Sequence, residues 1–133
     1  TGGDAARVHL EITRDSTGTV ATRDLAPVAG PRSAQVVRLR VAALAAARRS
    51  GHTALVVTWT DRSAAGGSAG SVDVRREHVE LWLLDAAGDR VARSPVPGST
   101  PGFAPRRLEF VDDDRYLVAE QPARTTLFKA RND

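Results

Sequence analysis

The sequence predicts an α+β fold: a largely antiparallel β-sheet of about six to eight strands with one amphipathic helix over 33–50 packed on it, an all-β fold being the alternative. Three observations carry this. Period-two stretches recur along the chain, beginning with Arg7-Val-His-Leu-Glu-Ile-Thr13, which puts Val8, Leu10 and Ile12 on one face. An alanine-rich segment between Gly30-Pro31 and Gly51 is flanked by residues suited to helix ends. Short turn signals punctuate the remainder, as hairpins require.

The elements follow in order. After the first strand, Asp15-Ser-Thr-Gly18 has turn chemistry and Thr19–Leu25 returns as a second strand, before Pro27 and Gly30-Pro31 break the chain. Ser33 is placed to cap a helix running to Ser50, with Gly51 taking the left-handed position at its end. Val37, Val41 and Leu44 fall on one helical stripe, Ala42 to Ala47 favour helix, and Arg48 and Arg49 complement the dipole in the last turn. A competing signal is present: Val37, Leu39 and Val41 alternate with Arg38 and Arg40 as they would on a strand.

Thr53–Thr60 and Val72–Asp85 are strands apolar on both faces, hence central, and place Trp59 and Trp82 in the core. Asp61–Ser71 between them reads as a Gly/Ser/Ala loop. Ala86-Ala-Gly-Asp89 turns into Arg90–Ser94, and the proline-rich Ser94–Pro105 is an extended connector. Arg107–Val111 and Arg115–Glu120 flank an Asp112-Asp-Asp114 hairpin turn, and Thr125–Ala130 adds a last strand. Gly51-His52-Thr53, Val79-Glu-Leu-Trp-Leu83 and Leu108–Leu117 loosely resemble positions in WD-repeat propeller blades. The spacing to Trp59 is short and two blades cannot close a ring, so no family is assigned from this echo.

Length fits one domain over 1–133, and with no methionine at position 1 the expectation is an excised or processed part of a longer chain, or one that lost an initiator Met before Thr1. Eighteen of the nineteen basic residues are arginine and twenty-two residues are alanine. Arg and Ala have GC-rich codons, so the arginines reflect a GC-rich bacterial genome before they reflect phosphate binding. A net charge of +3, with sixteen carboxylates interspersed, gives little long-range steering of an anionic polymer. Arg38, Arg49, Arg75, Arg76, Arg106 and Arg107 can make a basic face, but few aromatics stand by to stack on bases, and nucleic acid is not expected as a partner. With no cysteine, disulfides, thiolate chemistry and cysteine-ligated metals are excluded, while the compartment stays open. No apolar run reaches membrane-spanning length.

Several constellations bear on chemistry. Gly66-Gly-Ser-Ala-Gly70 satisfies the G-x-S-x-G pattern, yet a nucleophile elbow needs a strand before the serine and a helix after it, and here a strand follows a small-residue loop. His9-Leu-Glu11 and His78-Val-Glu80 each put a histidine and a glutamate on one face of a strand. Convergence of the four would make a divalent-metal set, whereas the simpler reading is two solvated strand faces. The zinc deaminases share H-x-E but need cysteine ligands that are missing here. His52 is set to bond the last helix carbonyls; as a general base it needs a carboxylate such as Asp61 or Asp85. Thr1 as an N-terminal nucleophile and Asp112–Asp114 as a cation site are weaker ideas, the second because consecutive aspartates without glycine suit a solvated turn.

No catalytic, cofactor-binding or metal residue is therefore assigned, and no cofactor is expected. The expectation is a non-catalytic binding or accessory domain that contacts a protein partner or a neighbouring domain. The alternatives are a small metal-dependent or histidine-based hydrolase, and weak nucleic-acid binding through arginines.

Overall fold

The structure, a computed structural model, describes residues 7–13, 20–27, 35–65, 72–121 and 124–130. Thr1, the Asp15–Gly18 turn, Pro31, Ser33 and the Gly66–Gly70 motif lie outside the described residues. Within the described residues, nine antiparallel strands form three sheets. Strands β1 (Val8–Thr13) and β2 (Val20–Leu25) make a hairpin. Strands β3 (Gln35–Ala46), β4 (Thr53–Ala65), β5 (Val72–Leu84) and β6 (Arg90–Pro95) make a four-stranded meander in that order. Strands β7 (Arg107–Val111), β8 (Tyr116–Gln121) and β9 (Arg124–Lys129) make a three-stranded one. The fold is mostly antiparallel β, and the only helical element described is a single 3₁₀ turn at Pro101–Phe103.

The all-β alternative is thus the one that fits, and the helix over 33–50 is corrected: Gln35–Ala46 is β3, an edge strand paired along β4. Its sequence misleads because the strand is bulged twice, with register shifts between Val37 and Arg40 and between Val41 and Ala43. Each bulge inserts an unpaired residue and flips the side-chain alternation. The apolar positions consequently lose period two and drift toward a helix-like spacing. Arg38 takes a left-handed conformation, φ 56°, inside the first irregularity. Helix propensity of the alanines is worth only fractions of a kcal/mol per residue, and pairing with a long buried neighbour outweighs it. Gly51 is left-handed at φ 77°, but in the β3–β4 turn rather than at a helix end.

Strand β4 runs on through Asp61 to Ala65, where the sequence predicts a loop, pairing continuously with β5 from Thr53↔Leu84 to Ala65↔Val72. These two central strands are apolar on both faces because both faces are covered. Leu55, Val57, Trp59, Trp82 and Leu84 pack with Val8, Leu10 and Leu25 of the first hairpin. Ala54, Val56, Val79 and Leu81 face the opposite way and pack with Leu108, Phe110, Leu117 and Phe128 of the third sheet. The molecule is a stack of three sheets in chain order. Trp59 and Trp82 are both fully buried in it.

The connector from β6 to β7 closes the edge of the second core through Val96 and Ala104. Gln121 Nε2 donates to Ser99 Oγ and to the Phe103 carbonyl, both at 2.7 Å, and Arg124 donates to the Pro97 carbonyl at 3.0 Å. Among the described residues no helix is long and apolar enough to cross a membrane.

Candidate functional site

The two His-x-Glu pairs have the local geometry expected of them and point to different places. On β1 the apolar residues Val8 and Leu10 face the central sheet, so His9 and Glu11 face outward. His9 Nδ1 lies 2.7 Å from Asp24 Oδ1 on β2, and Nε2 lies 3.4 Å from Glu11. The register explains this, since His9 is directly opposite Asp24. Both ring nitrogens have carboxylates beside them, and those carboxylates raise the pKa of His9, the hydrogen bond to Asp24 being the larger cause and that to Glu11 the second.

His78 belongs to the central sheet. Its Nε2 lies 2.8 Å from Asp61 Oδ2, and Asp61 is only 1% exposed. The imidazole stacks on Trp59 with centroids 4.8 Å apart and planes 15° from parallel. Trp59 is opposite His78 in the ladder, which is why the rings meet. Glu80, two residues on, accepts from Trp82 Nε1 at 3.0 Å and from Arg93 at 3.0 Å. Arg90 covers the Trp82 ring at 4.6 Å and donates to the Ala26 carbonyl. Thus the second pair secures tryptophans, and the first closes a hairpin. The structure does not bring His9, Glu11, His78 and Glu80 together. Among the described residues no group of three or more histidines and carboxylates is arranged to hold a metal ion.

The Asp61–His78 pair is not apparent from sequence, because Asp61 there reads as the start of a loop. It has the orienting half of a nucleophilic triad. Such chemistry also needs a hydroxyl or thiol against the free nitrogen, and among the described residues the hydrogen bond shown for the His78 imidazole is the one to Asp61. Trp59 Nε1 beside it is buried without a hydrogen-bond partner among the described residues. His52 sits in the β3–β4 turn, its backbone N–H donating to Ser50 Oγ at 3.2 Å.

The aspartate turn is corrected in part. Asp112 and Asp113 are exposed, as a solvated tip would be, but Asp114 is buried. Its Oδ2 accepts the backbone N–H groups of Arg49 and Ser50 at 2.9 and 3.2 Å, and Asp113 meets the Arg49 guanidinium at 2.8 Å. All three aspartates are left-handed, with φ between 51° and 65°, a conformation this residue tolerates better than most. The turn of the third sheet thereby caps the β3–β4 turn of the second.

Four arginines meet carboxylates: Arg23 meets Asp89, Arg49 Asp113, Arg93 Glu80 and Arg107 Glu120. Exposed apolar side chains are the remaining feature. Leu127, midway along the edge strand β9, is 61% exposed on the outer face of the β7–β9 sheet, directly beside Val118 of the central strand. Neither belongs to a core cluster of the described residues. A hollow of about 190 Å³ lies next to them, lined by Arg107, Leu108, Glu109, Val118 and Glu120. No family model, curated protein or solved structure matches the chain.

Proposed function

We propose that the protein is a non-catalytic interaction module and that the outer face of the β7–β9 sheet is its contact surface. The observation that supports this is the Val118–Leu127 pair, an apolar centre on a sheet face, with Arg107, Glu109, Glu120 and Lys129 around it. An apolar centre with a charged rim is how contact surfaces of soluble proteins are built. The titratable clusters, by contrast, are occupied in holding sheets and turns. A hydrolase reading has the Asp61–His78 pair in its favour, and nucleic-acid binding has eighteen arginines, offset by sixteen carboxylates to a net charge of +3.

A photo-crosslinking residue at position 127, with one at Thr22 on the polar face of the first hairpin as comparison, tests the proposal in the native cell. A discrete adduct from position 127 and none from position 22 is expected. Failure at both positions, or ester hydrolysis by the purified protein that disappears in His78→Ala, overturns it.

A further inference from the structure

We infer that the β7–β9 outer face docks a further antiparallel sheet of the same repeat, carried by a partner polypeptide and presenting a row of leucine and aromatic side chains. This rests on the interaction-module reading above and names the chemistry of the partner.

The repeat is visible in the registers. Val8, Leu10, Val20, Ala21 and Leu25 of the first hairpin recur at one constant spacing as Val79, Leu81, Val91, Ala92 and Val96. The pairing recurs with them: Leu10↔Arg23 and Glu11↔Thr22 in β1–β2 correspond to Leu81↔Ser94 and Trp82↔Arg93 in β5–β6. Strands β4 and β5 likewise reappear as β8 and β9. Leu55↔Trp82 becomes Leu117↔Phe128, and Val56↔Leu81 becomes Val118↔Leu127. Leucine–valine is preserved along one strand and leucine–aromatic along the other, at matching positions of the two ladders.

The equivalent positions have unequal surroundings. Val56 and Leu81 are 0% and 5% exposed beneath the third sheet, whose Leu108, Phe110, Leu117 and Phe128 share that core. Val118 and Leu127 occupy the same places one sheet later, and Leu127 is open to solvent. A face with this ladder and these residues has therefore already been given a matching cover once within the molecule. Removing such a leucine–valine pair from water is favourable by area alone, and aligned sheet packing supplies the geometry.

A second copy of this chain offers no such cover. The outward face of its first hairpin carries His9, Glu11, Thr22 and Asp24, and setting those carboxylates on Leu127 would take them out of water against an apolar side chain. Its own β7–β9 outer face carries Arg107, Glu109, Glu120 and Lys129. The apolar faces of its other sheets are already engaged with one another. A polar face at one end of the stack and a face with an apolar Val118–Leu127 pair inside a charged rim at the other give it a direction, as a capped repeat array has.

The test uses the chain's lack of cysteine. Leu127→Cys introduces one thiol, whose labelling is measured in the chain alone and in a chain with a second copy of residues 85–130 joined after Ala130. The added β6 is then placed to pair with β9, and the added β7–β9 to cover Val118 and position 127. Labelling at position 127 is expected to slow by about 100-fold or more, the behaviour of a site reached only through local opening. Thr22→Cys, at the other end of the stack, should label at one rate in both chains. Unchanged labelling at position 127 overturns the inference, whether the added segment folds elsewhere or does not fold. Protection of the introduced thiol by self-association of the unextended Leu127→Cys chain also overturns it, since the occupant is then a second copy. If the crosslink at position 127 forms in cells while the added sheet fails to protect, the interaction-module reading stands and this inference falls.

Discussion

Individual side chains in this protein owe their roles to what stands opposite them. His9 is the clearest case, because two carboxylates flank an exposed imidazole and raise its pKa. Folding raises the value, so its contribution to stability is fully present below the unfolded pKa of about 6.5 and is lost as pH rises through the folded pKa. Ring-proton shifts followed by NMR should give His9 a midpoint above that of a free histidine, and Asp24→Asn should bring it down. Equal midpoints in the two proteins would show that the hydrogen bond to Asp24 is not the cause. Added salt should reduce the difference, since the site is open to solvent. Asp114, by contrast, is buried, and two backbone donors from a neighbouring turn hold it there.

At the level of elements, β3 separates the present structure from a helical reading most sharply. A helix would bury Leu44 against a sheet, and Leu44→Asp would then unfold the protein. As part of an edge strand Leu44 is 58% exposed, so the same substitution should change stability by less than about 0.5 kcal/mol. Leu55, its partner in the ladder, is 1% exposed, and Leu55→Ala should cost about 2–5 kcal/mol. Urea denaturation of the two variants distinguishes the readings, and the far-ultraviolet circular dichroism should lack a helical component. The other strands were legible from their own signals: β7 spans the expected Arg107–Val111, and the two tryptophan strands, read as central from apolar residues on both faces, lie at the centre of their sheet. The bulges hid β3 by disturbing the one signal that identifies a strand. The candidate contact face was less legible still. Val118 and Leu127 look like ordinary core residues in sequence, and only pairing shows that they share the side of the sheet turned away from Leu117 and Phe128. The Asp61–His78 pair was hidden for a related reason, as it required β4 to continue beyond Thr60.

For the whole molecule, stacking order sets the order of stability. The central sheet is covered on two faces, while each outer sheet rests on one described apolar contact. Native-state amide exchange should therefore be slowest in β4 and β5, with β1–β2 and β7–β9 opening first. Uniform protection across all three sheets would mean that the stack opens as one cooperative unit. Buried partners also link the layers at their ends, where Asp114 of the third sheet accepts from Arg49 and Ser50 of the second.

The two bulges of β3 bear on a hazard that no contact inside the fold addresses. A straight strand edge is a template on which other chains can add, and natural sheets blunt their edges by bulging them. Strand β3 is blunted in this way, with Arg38 turned out of the regular backbone conformation in the middle of its first irregularity. Strand β9 pairs with β8 without a single register shift and carries its leucine outward. Fibrillar growth of the concentrated protein should accordingly be seeded at β9 and spare β3, so that whatever covers β9 also acts as its guard against aggregation.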